Sequence, residues 1–194
     1  ATLEGRDLSA SFYTRDGVLP AVREVSLRLQ PGKILGLVGE SGSGKSVTGF
    51  SILGLVDPPG RISGGEIVFQ GRDLTRLSPS QLRHLQGNRI AMIFQDPMSS
   101  LNPRRTVFAI IAAPLRLHGF DQISNRVETA LDMVGLPRDF KLRYPHELSG
   151  GQRQRIGIAR AIATEPEFIL AVEIVSGLDV SSQAHVLNLL EQLV

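Results

Sequence analysis

The chain has 194 residues, a length that suits one globular domain with a sizeable hydrophobic core. Its longest uninterrupted apolar run, Val107 to Ala113, is too short to span a bilayer, and its first ten residues lack the apolar region of a signal peptide. The absence of cysteine excludes disulfides and thiolate metal sites. The net charge of +2 comes without a block of Lys or Arg, so nucleic acid is not expected as a partner.

Short runs of apolar residues predict a fold with several strands. The predicted strands, in chain order, are Leu3 to Phe12, Val25 to Gln30, Ile34 to Val38, Gly65 to Gly71, Ile90 to Phe94 and Phe168 to Val172. The run Val25 to Gln30 alternates apolar and polar side chains, as a half-buried antiparallel strand does. Gly65 to Gly71 has the character of an edge strand. The runs at residues 34–38, 90–94 and 168–172 are continuously apolar, which favours buried central strands.

Helical patterns occupy the rest of the chain. One helix is expected to begin near Lys45 and to end between Gly54 and Pro59. Helical periodicity then continues from Pro97 to about Ala163, and a last helix is predicted from Ser182 to Val194. One face of a helix is formed by apolar residues at i, i+3, i+4 and i+7, namely Val127, Ala130, Leu131 and Val134. The fold class predicted is α/β, with an antiparallel β subdomain and an α-helical insertion in the core.

A phosphate-binding loop follows the predicted strand at residues 34–38. Its sequence is Gly-Glu-Ser-Gly-Ser-Gly-Lys-Ser, and it opens a predicted helix, which is the context that this motif requires. Its glycines let backbone N–H groups approach phosphate oxygens, while Lys45 adds a point charge between the β- and γ-phosphates of a nucleoside triphosphate. The hydroxyl of Ser46 is a candidate Mg²⁺ ligand. The predicted phosphate-binding residues are Gly39, Glu40, Ser41, Gly42, Ser43, Gly44, Lys45, Ser46 and Val47.

A second glycine-rich turn lies about a hundred residues further along the chain. It has the sequence Ser-Gly-Gly-Gln, and Ser149 is a typical helix N-cap residue. The free N–H groups of such a helix start can bind an anion, although an ordinary capped helix would show the same pattern. The candidate binding residues here are Ser149, Gly150, Gly151 and Gln152.

Together, the two motifs identify a family resemblance. The segment Leu148 to Arg155 resembles the signature motif of ATP-binding cassette (ABC) ATPases, and Ser176 to Asp179 looks like the D-loop of that family. Gln95 stands where the family has its Q-loop glutamine. The run Phe94 to Pro103 is similar to the Q-loop region of the dipeptide, oligopeptide and nickel importer subfamily. The resemblance covers essentially the whole chain.

The resemblance implies a P-loop NTPase core at residues 1–95 and 164–194, with a helical subdomain at 96–163 that carries the signature motif. It also implies a head-to-tail dimer that sandwiches two ATP molecules with Mg²⁺. In that dimer Gln95 would contact Mg²⁺ or the attacking water, Glu173 would be the catalytic base, and Asp179 would belong to the nucleotide site. An aromatic residue at the end of the first strand would stack on adenine, and both Tyr13 and Phe12 are candidates.

The chain departs from the family pattern at the strand that follows the signature helix. The family has Asp-Glu-Pro there, whereas this chain has Val172, Glu173 and Ile174, and Gly177 replaces a usual alanine. A valine supplies no oxygen to hold a metal through its water shell, so hydrolysis is expected to be impaired. The family's switch histidine and the last part of the core are expected beyond Val194. None of the four histidines is expected to replace that switch.

These observations predict an ATP-binding subunit of an ABC importer for peptides or a related solute. Its expected partners are a second ATPase subunit, transmembrane permease subunits and, indirectly, a solute-binding protein, with a location at the cytoplasmic face of the membrane. One alternative is a non-hydrolytic nucleotide-binding or regulatory module. Another, an ABC ATPase of DNA repair, is disfavoured because the interval between the two motifs is short and lacks cysteine.

Overall fold

A computed structural model describes residues 2–94, 96–173 and 178–194, leaving out the side chains of residues 97 and 98. The chain divides into two compact units, Ala1–Arg83 and His84–Val194. No described helix combines the length and the apolar character needed to cross a membrane. The predicted division into residues 1–95 with 164–194 and residues 96–163 stays a prediction.

The first unit is built on an antiparallel sheet. Its strands are β1 (Leu3–Thr14), β2 (Gly17–Leu29), β3 (Gly60–Phe69) and β4 (Arg72–Asp73), in the order β2-β1-β3-β4. Helix α1 (Lys45–Leu53) lies against β1, β2 and β3. The residue after it, Gly54, is its C-cap and has the left-handed backbone that is common at this position. The predicted strand at Leu3 to Phe12 and both ends of the helix are therefore confirmed. A strand at Val25 to Gln30 is confirmed too, but it begins at Gly17 rather than at Val25, because the preceding residues also pair with β1.

Two strand predictions in this unit were wrong. Residues 34–38 form no strand, and the side chain of Val38 is 90% exposed. Their apolar character predicted burial, but a central strand also needs ladder partners on both sides, and no described strand pairs with this run. The strand expected from Gly65 begins earlier, at Gly60, and it is not an edge strand because it lies between β1 and β4.

The second unit joins a short parallel sheet to a helical cluster. Strands β5 (Ile90–Ile93) and β6 (Phe168–Ala171) pair in parallel. The helices are α2 (Pro79–Leu85, which spans the boundary between the units), α3 (Pro97–Ser100), α4 (Val107–Leu117), α5 (Ile123–Met133), α6 (Gly150–Ile162) and α7 (Val180–Gln192). Among the described residues, 3-10 turns lie at Arg138–Leu142 and Pro145–Glu147 in this unit, and at Leu74–Arg76 in the first unit.

The core of the second unit confirms the helical pattern read from the sequence. The four residues of the predicted face, Val127, Ala130, Leu131 and Val134, are all buried against α4 and α6. Strand β6 is less buried than predicted: Phe168 is buried, but Ala171 is exposed. The reason is that β5 is its one ladder partner in the described part of the chain. Phe94, expected in β5, lies just past its end and is exposed.

Candidate functional site

The phosphate-binding loop ends at a glycine that the local packing requires. Gly44 is the N-cap of α1 and has a φ of 90°. A Cβ atom at this position would lie 2.5 Å from the carbonyl oxygen of Ala21 in β2, closer than non-bonded atoms approach. Both the backbone angle and the available space therefore demand glycine. This contact fixes the start of α1 against the sheet.

The start of α1 is chemically prepared for an anion. No side chain caps the helix, so its first N–H groups have no capping partner. The Lys45 ammonium donates hydrogen bonds to the carbonyl oxygens of Gly39 (2.6 Å) and Glu40 (2.5 Å), and it lies 3.3 Å from the hydroxyl oxygen of Ser43. The carbonyl oxygens of the loop thus surround the Lys45 ammonium. Uncapped N–H groups and a lysine at the same helix start form a cradle that suits phosphate oxygens.

Of the two candidate aromatic residues, Tyr13 is the better placed for stacking. Tyr13 lies near the end of β1 and is 36% exposed. The Phe12 ring instead packs against β3, since a Cβ added to Gly60 would come within 2.7 Å of it. The guanidinium carbon of Arg61 lies 4.0 Å from the centre of the Tyr13 ring. Arg61 has no local sequence signal, because nothing near it in the chain reveals that β1 and β3 pair.

The second glycine-rich turn closes on itself. Ser149 is the N-cap of α6: its hydroxyl oxygen accepts from the N–H of Gln152 (3.2 Å), and the Gln152 side-chain oxygen accepts from the N–H of Ser149 (2.9 Å). This reciprocal capping box occupies both predicted binding side chains. The N–H groups of Gly150 and Gly151 lie between them.

The fold itself does not require the two glycines at this helix start. Neither Gly150 nor Gly151 has a positive φ, and a Cβ on either would meet no atom within 4 Å. Glycine also costs about 0.5–1 kcal/mol relative to alanine inside a helix. Their presence is explained if something outside the described chain comes close to the backbone there.

The arginines of α6 serve to hold that helix in place. Arg153 donates to the carbonyl oxygen of Pro145 (2.7 Å), Arg155 to that of Val134 (2.9 Å) and Arg160 to that of Ser100 (2.8 Å). Burial lowers the pKa of the Arg160 guanidinium. Each of these three guanidinium groups thus donates to a backbone carbonyl oxygen of a neighbouring segment. Three hydrogen bonds along α6 therefore tie this helix to neighbouring segments.

The segment after β6 places Glu173 in an unusual conformation. The N–H of Val172 donates to the Ile93 carbonyl oxygen (3.3 Å), so the chain still follows β5 at that point. Glu173 comes next with a φ of 47°, in the left-handed region that non-glycine residues seldom adopt, and its side chain is exposed. Such strain is often found at functional positions. Gln95, Ser176 and Gly177 lie outside the described residues.

Asp179 caps the last helix. Its carboxylate accepts from the N–H (2.9 Å) and the hydroxyl (2.8 Å) of Ser182. These hydrogen bonds, that of the backbone N–H first, hold the pKa of Asp179 below its usual range. The ionised side chain therefore has a structural role in α7, whatever further role it has in a nucleotide site.

The donors at the start of α1 fit the phosphate oxygens of a triphosphate. The cradle at Lys45 supplies the N–H groups and the positive charge that phosphate oxygens need. Mg²⁺ needs oxygen ligands, and the described residues contain no group of three or more Asp, Glu or His side chains that could hold a metal. At position 172, the valine side chain supplies no oxygen atom.

Fold and motifs together define an ABC-type nucleotide-binding domain, and the family model for ABC transporters matches residues 22–175. The chain belongs to this family. It is 47% identical to the oligopeptide transport ATP-binding protein AppF of Bacillus subtilis over 98% of this chain and 60% of that protein. It is 48% identical to the glutathione import ATP-binding protein GsiA of Escherichia coli over 97% of this chain and 31% of that protein. The chain therefore spans about 60% of AppF and a smaller share of GsiA.

A solved structure shows the same fold. The ATP-binding cassette MJ0796, in a dimeric post-hydrolysis state bound to ADP and Pi, superposes with a TM-score of 0.82 at 26% sequence identity. The match covers 97% of this chain and 81% of that chain. The predicted fold class, a P-loop NTPase core of the ABC type, is confirmed by this comparison.

Proposed function

We propose that the chain is the ATP-binding part of an ABC importer subunit that couples ATP to the uptake of peptides or a related solute. The names of the relatives support the importer class and the peptide-like cargo. The proposed partners are a second ATPase subunit, in a head-to-tail dimer, and transmembrane permease subunits, with a solute-binding protein acting indirectly. The proposed location is the cytoplasmic face of the membrane, where such subunits meet a permease.

The observation that carries the proposal is the cradle at the start of α1. Helix α1 begins without a side-chain cap, and the Lys45 ammonium donates to carbonyl oxygens of the loop just before it. Uncapped N–H groups and a lysine at one helix start favour the binding of a polyanion. The open glycines at the start of α6 support a second contact with the same ligand, made from another copy of the site. Two helix ends and one lysine would then share the charge of one triphosphate.

The proposed reaction is attack of water on the γ-phosphorus in line with the departing ADP oxygen. Glu173 would accept the proton of that water, and the N–H groups at the start of α1 with Lys45 would hold the phosphate oxygens. Mg²⁺, when bound, neutralises phosphate charge, and Ser46 and Gln95 are the residues proposed to hold it. Without a carboxylate at position 172, we expect ATP binding to be retained and hydrolysis to be slow.

Calorimetric titration of the chain with ATP, in Mg²⁺ and again in EDTA, tests this proposal. We expect clear binding that Mg²⁺ changes little, because the metal side of the site is incomplete. The matched variant Val172→Asp should restore a metal dependence on the order of 10–100-fold. Binding in neither buffer would contradict the proposed function. A strong Mg²⁺ effect on the unchanged chain would show that the valine does not matter.

A second candidate function is a nucleotide-binding regulatory module that does not hydrolyse ATP. The observation that favours it is Val172 itself, because a switch that only binds ATP has no need of the missing carboxylate. The two functions differ in turnover. We expect Val172→Asp to raise phosphate release above that of the unchanged chain if Glu173 is a working base, and to leave it at zero if the module only binds nucleotide.

A further inference from the structure

The pairing of β1 with β3 places the side chain of Arg61 next to the ring of Tyr13. Strands β1 and β3 are antiparallel, with Arg61 opposite Ser11 and Gly60 opposite Phe12. Tyr13 is two residues beyond Ser11 and shares its face of the sheet, so Arg61 and Tyr13 are diagonal neighbours. The guanidinium carbon lies 4.0 Å from the ring centre, well within the range of a cation–π contact.

This contact is the one side-chain interaction that the described structure gives Arg61. It forms no ion pair or side-chain hydrogen bond with any described residue, although Asp and Glu are plentiful in the same unit. The Tyr13 backbone is fixed independently, because its N–H donates to the Pro59 carbonyl oxygen (2.9 Å). The backbone bond holds the position of Tyr13, and the guanidinium limits the rotation of its ring.

From this geometry we infer that Arg61 is a positioning residue for the nucleobase: it holds one face of the Tyr13 ring so that adenine stacks on the other. The inference rests on the proposed function, which assigns the adenine contact to Tyr13. An aromatic ring that is already oriented loses less rotational freedom when a base stacks on it. A cation on one face also draws electron density from the ring, which favours stacking of an electron-rich base on the opposite face.

Arg61 has a second way to aid binding, which the test must separate from the first. Its positive charge attracts any polyphosphate, whether or not a base is attached. Tripolyphosphate carries the charge of ATP without the adenine, so an effect through charge weakens both ligands. An effect through the Tyr13 ring weakens ATP alone.

The test compares the affinities for ATP and tripolyphosphate, by calorimetry in EDTA, of the unchanged chain and three variants. We expect Arg61→Gln to weaken ATP about three- to fivefold, in line with a partly exposed cation–π contact, and to leave tripolyphosphate unchanged. Arg61→Lys should recover part of the loss. Arg72→Gln removes the same charge from an exposed position on β4 and should change neither affinity.

Two further measurements exclude a merely structural effect. In a Tyr13→Ala background, Arg61→Gln should cause no further loss of ATP affinity. The chain has no Trp and two Tyr, so Tyr144→Phe leaves Tyr13 as the single fluorophore of its kind. In that background Arg61→Gln should alter the Tyr13 emission before ATP is added, and should reduce its quenching by ATP.

Four results would overturn the inference. Equal weakening of ATP and tripolyphosphate would mean that Arg61 acts by charge. Tighter ATP binding by Arg61→Gln would mean that the guanidinium competes with adenine for the same face of the ring. If the unchanged chain binds tripolyphosphate as tightly as ATP, Tyr13 takes no part in binding and this inference alone fails. Binding of neither ligand would overturn the proposed function and this inference with it.

Discussion

Replacing Gly151 with alanine should stabilise the chain and at the same time weaken its proposed assembly. The glycine lies in the first turn of α6 with an ordinary φ, and an added Cβ would meet no atom within 4 Å. Alanine in a helix is favoured over glycine by about 0.5–1 kcal/mol, and nothing in the described structure opposes that gain. For a chain of this size, the gain corresponds to a rise of about 1–4 °C in the unfolding midpoint.

The matched control lies in the same helix. Gly157 also has no positive φ and open space for a Cβ, so Gly157→Ala should raise the midpoint by a similar amount. The two variants should differ in ATP-dependent dimer formation, measured by sedimentation with and without ATP. Gly151→Ala puts a methyl group where the phosphate of a partner-bound ATP would approach, and should lose the dimer. Gly157→Ala should keep it.

The outcome that would refute this reasoning is a Gly151→Ala chain that dimerises with ATP as well as the Gly157→Ala chain does. Glycine at position 151 would then have no ligand to admit. A lower unfolding midpoint for Gly151→Ala would contradict the reasoning at an earlier step, because it would mean that the space around this helix start is occupied in solution.

Three other predictions concern the loop, a helix cap and a charge pair. Gly44→Ala should lower the free energy of unfolding by about 2–4 kcal/mol, because the new Cβ strains the backbone and clashes with Ala21. Gly42→Ala strains the backbone in the same way but has open space around the Cβ, so it should cost only about 1 kcal/mol. Equal losses of the two variants in urea unfolding would contradict this prediction. Because the pKa of Asp179 is depressed, the contribution of its carboxylate to the free energy of unfolding is complete above about pH 4 and is lost as the pH falls through the folded-state pKa. The difference in free energy of unfolding between the unchanged chain and Asp179→Asn should therefore vanish at low pH. A difference that stays constant with pH would argue against the helix cap. The exposed ion pair between Arg89 and Glu167 should give a coupling free energy of less than about 1 kcal/mol in a double-mutant cycle, and this value should fall in 1 M salt. A larger coupling free energy that does not change with salt would show that the pair is buried in solution.

The sequence predicted well wherever a local pattern determines the structure. The bounds of α1 follow from a lysine after a glycine-rich loop and from Gly54 as the C-cap, and the buried face of α5 follows from helical spacing. The run at residues 34–38 failed because apolar character says nothing about whether a ladder partner is present. Arg61 could not be predicted, since its contact with Tyr13 depends on the register of two strands about fifty residues apart.

Parts of the candidate site that depend on dihedral angles or on exchange of hydrogen bonds were also beyond sequence reasoning. Ser149 was expected as a cap, but the reciprocal bond from Gln152 appears only in the structure. The left-handed φ of Glu173 has no sequence signal, because glutamate is a common residue in regular elements. The proposed roles of Gln95 and of the D-loop residues 176–177 stay predictions.

The backbone of Glu173 has a consequence for anyone who tries to improve this protein in the laboratory. At a φ of 47° the backbone of a glycine or an asparagine is less strained than that of a glutamate, and the exposed Glu173 side chain contributes no buried packing. A selection for a higher unfolding temperature would therefore favour replacement of Glu173. Such a replacement removes the carboxylate that is proposed to act as the catalytic base. Libraries screened for thermal stability should therefore hold residue 173 fixed, so that the carboxylate proposed to accept the proton of the attacking water is kept.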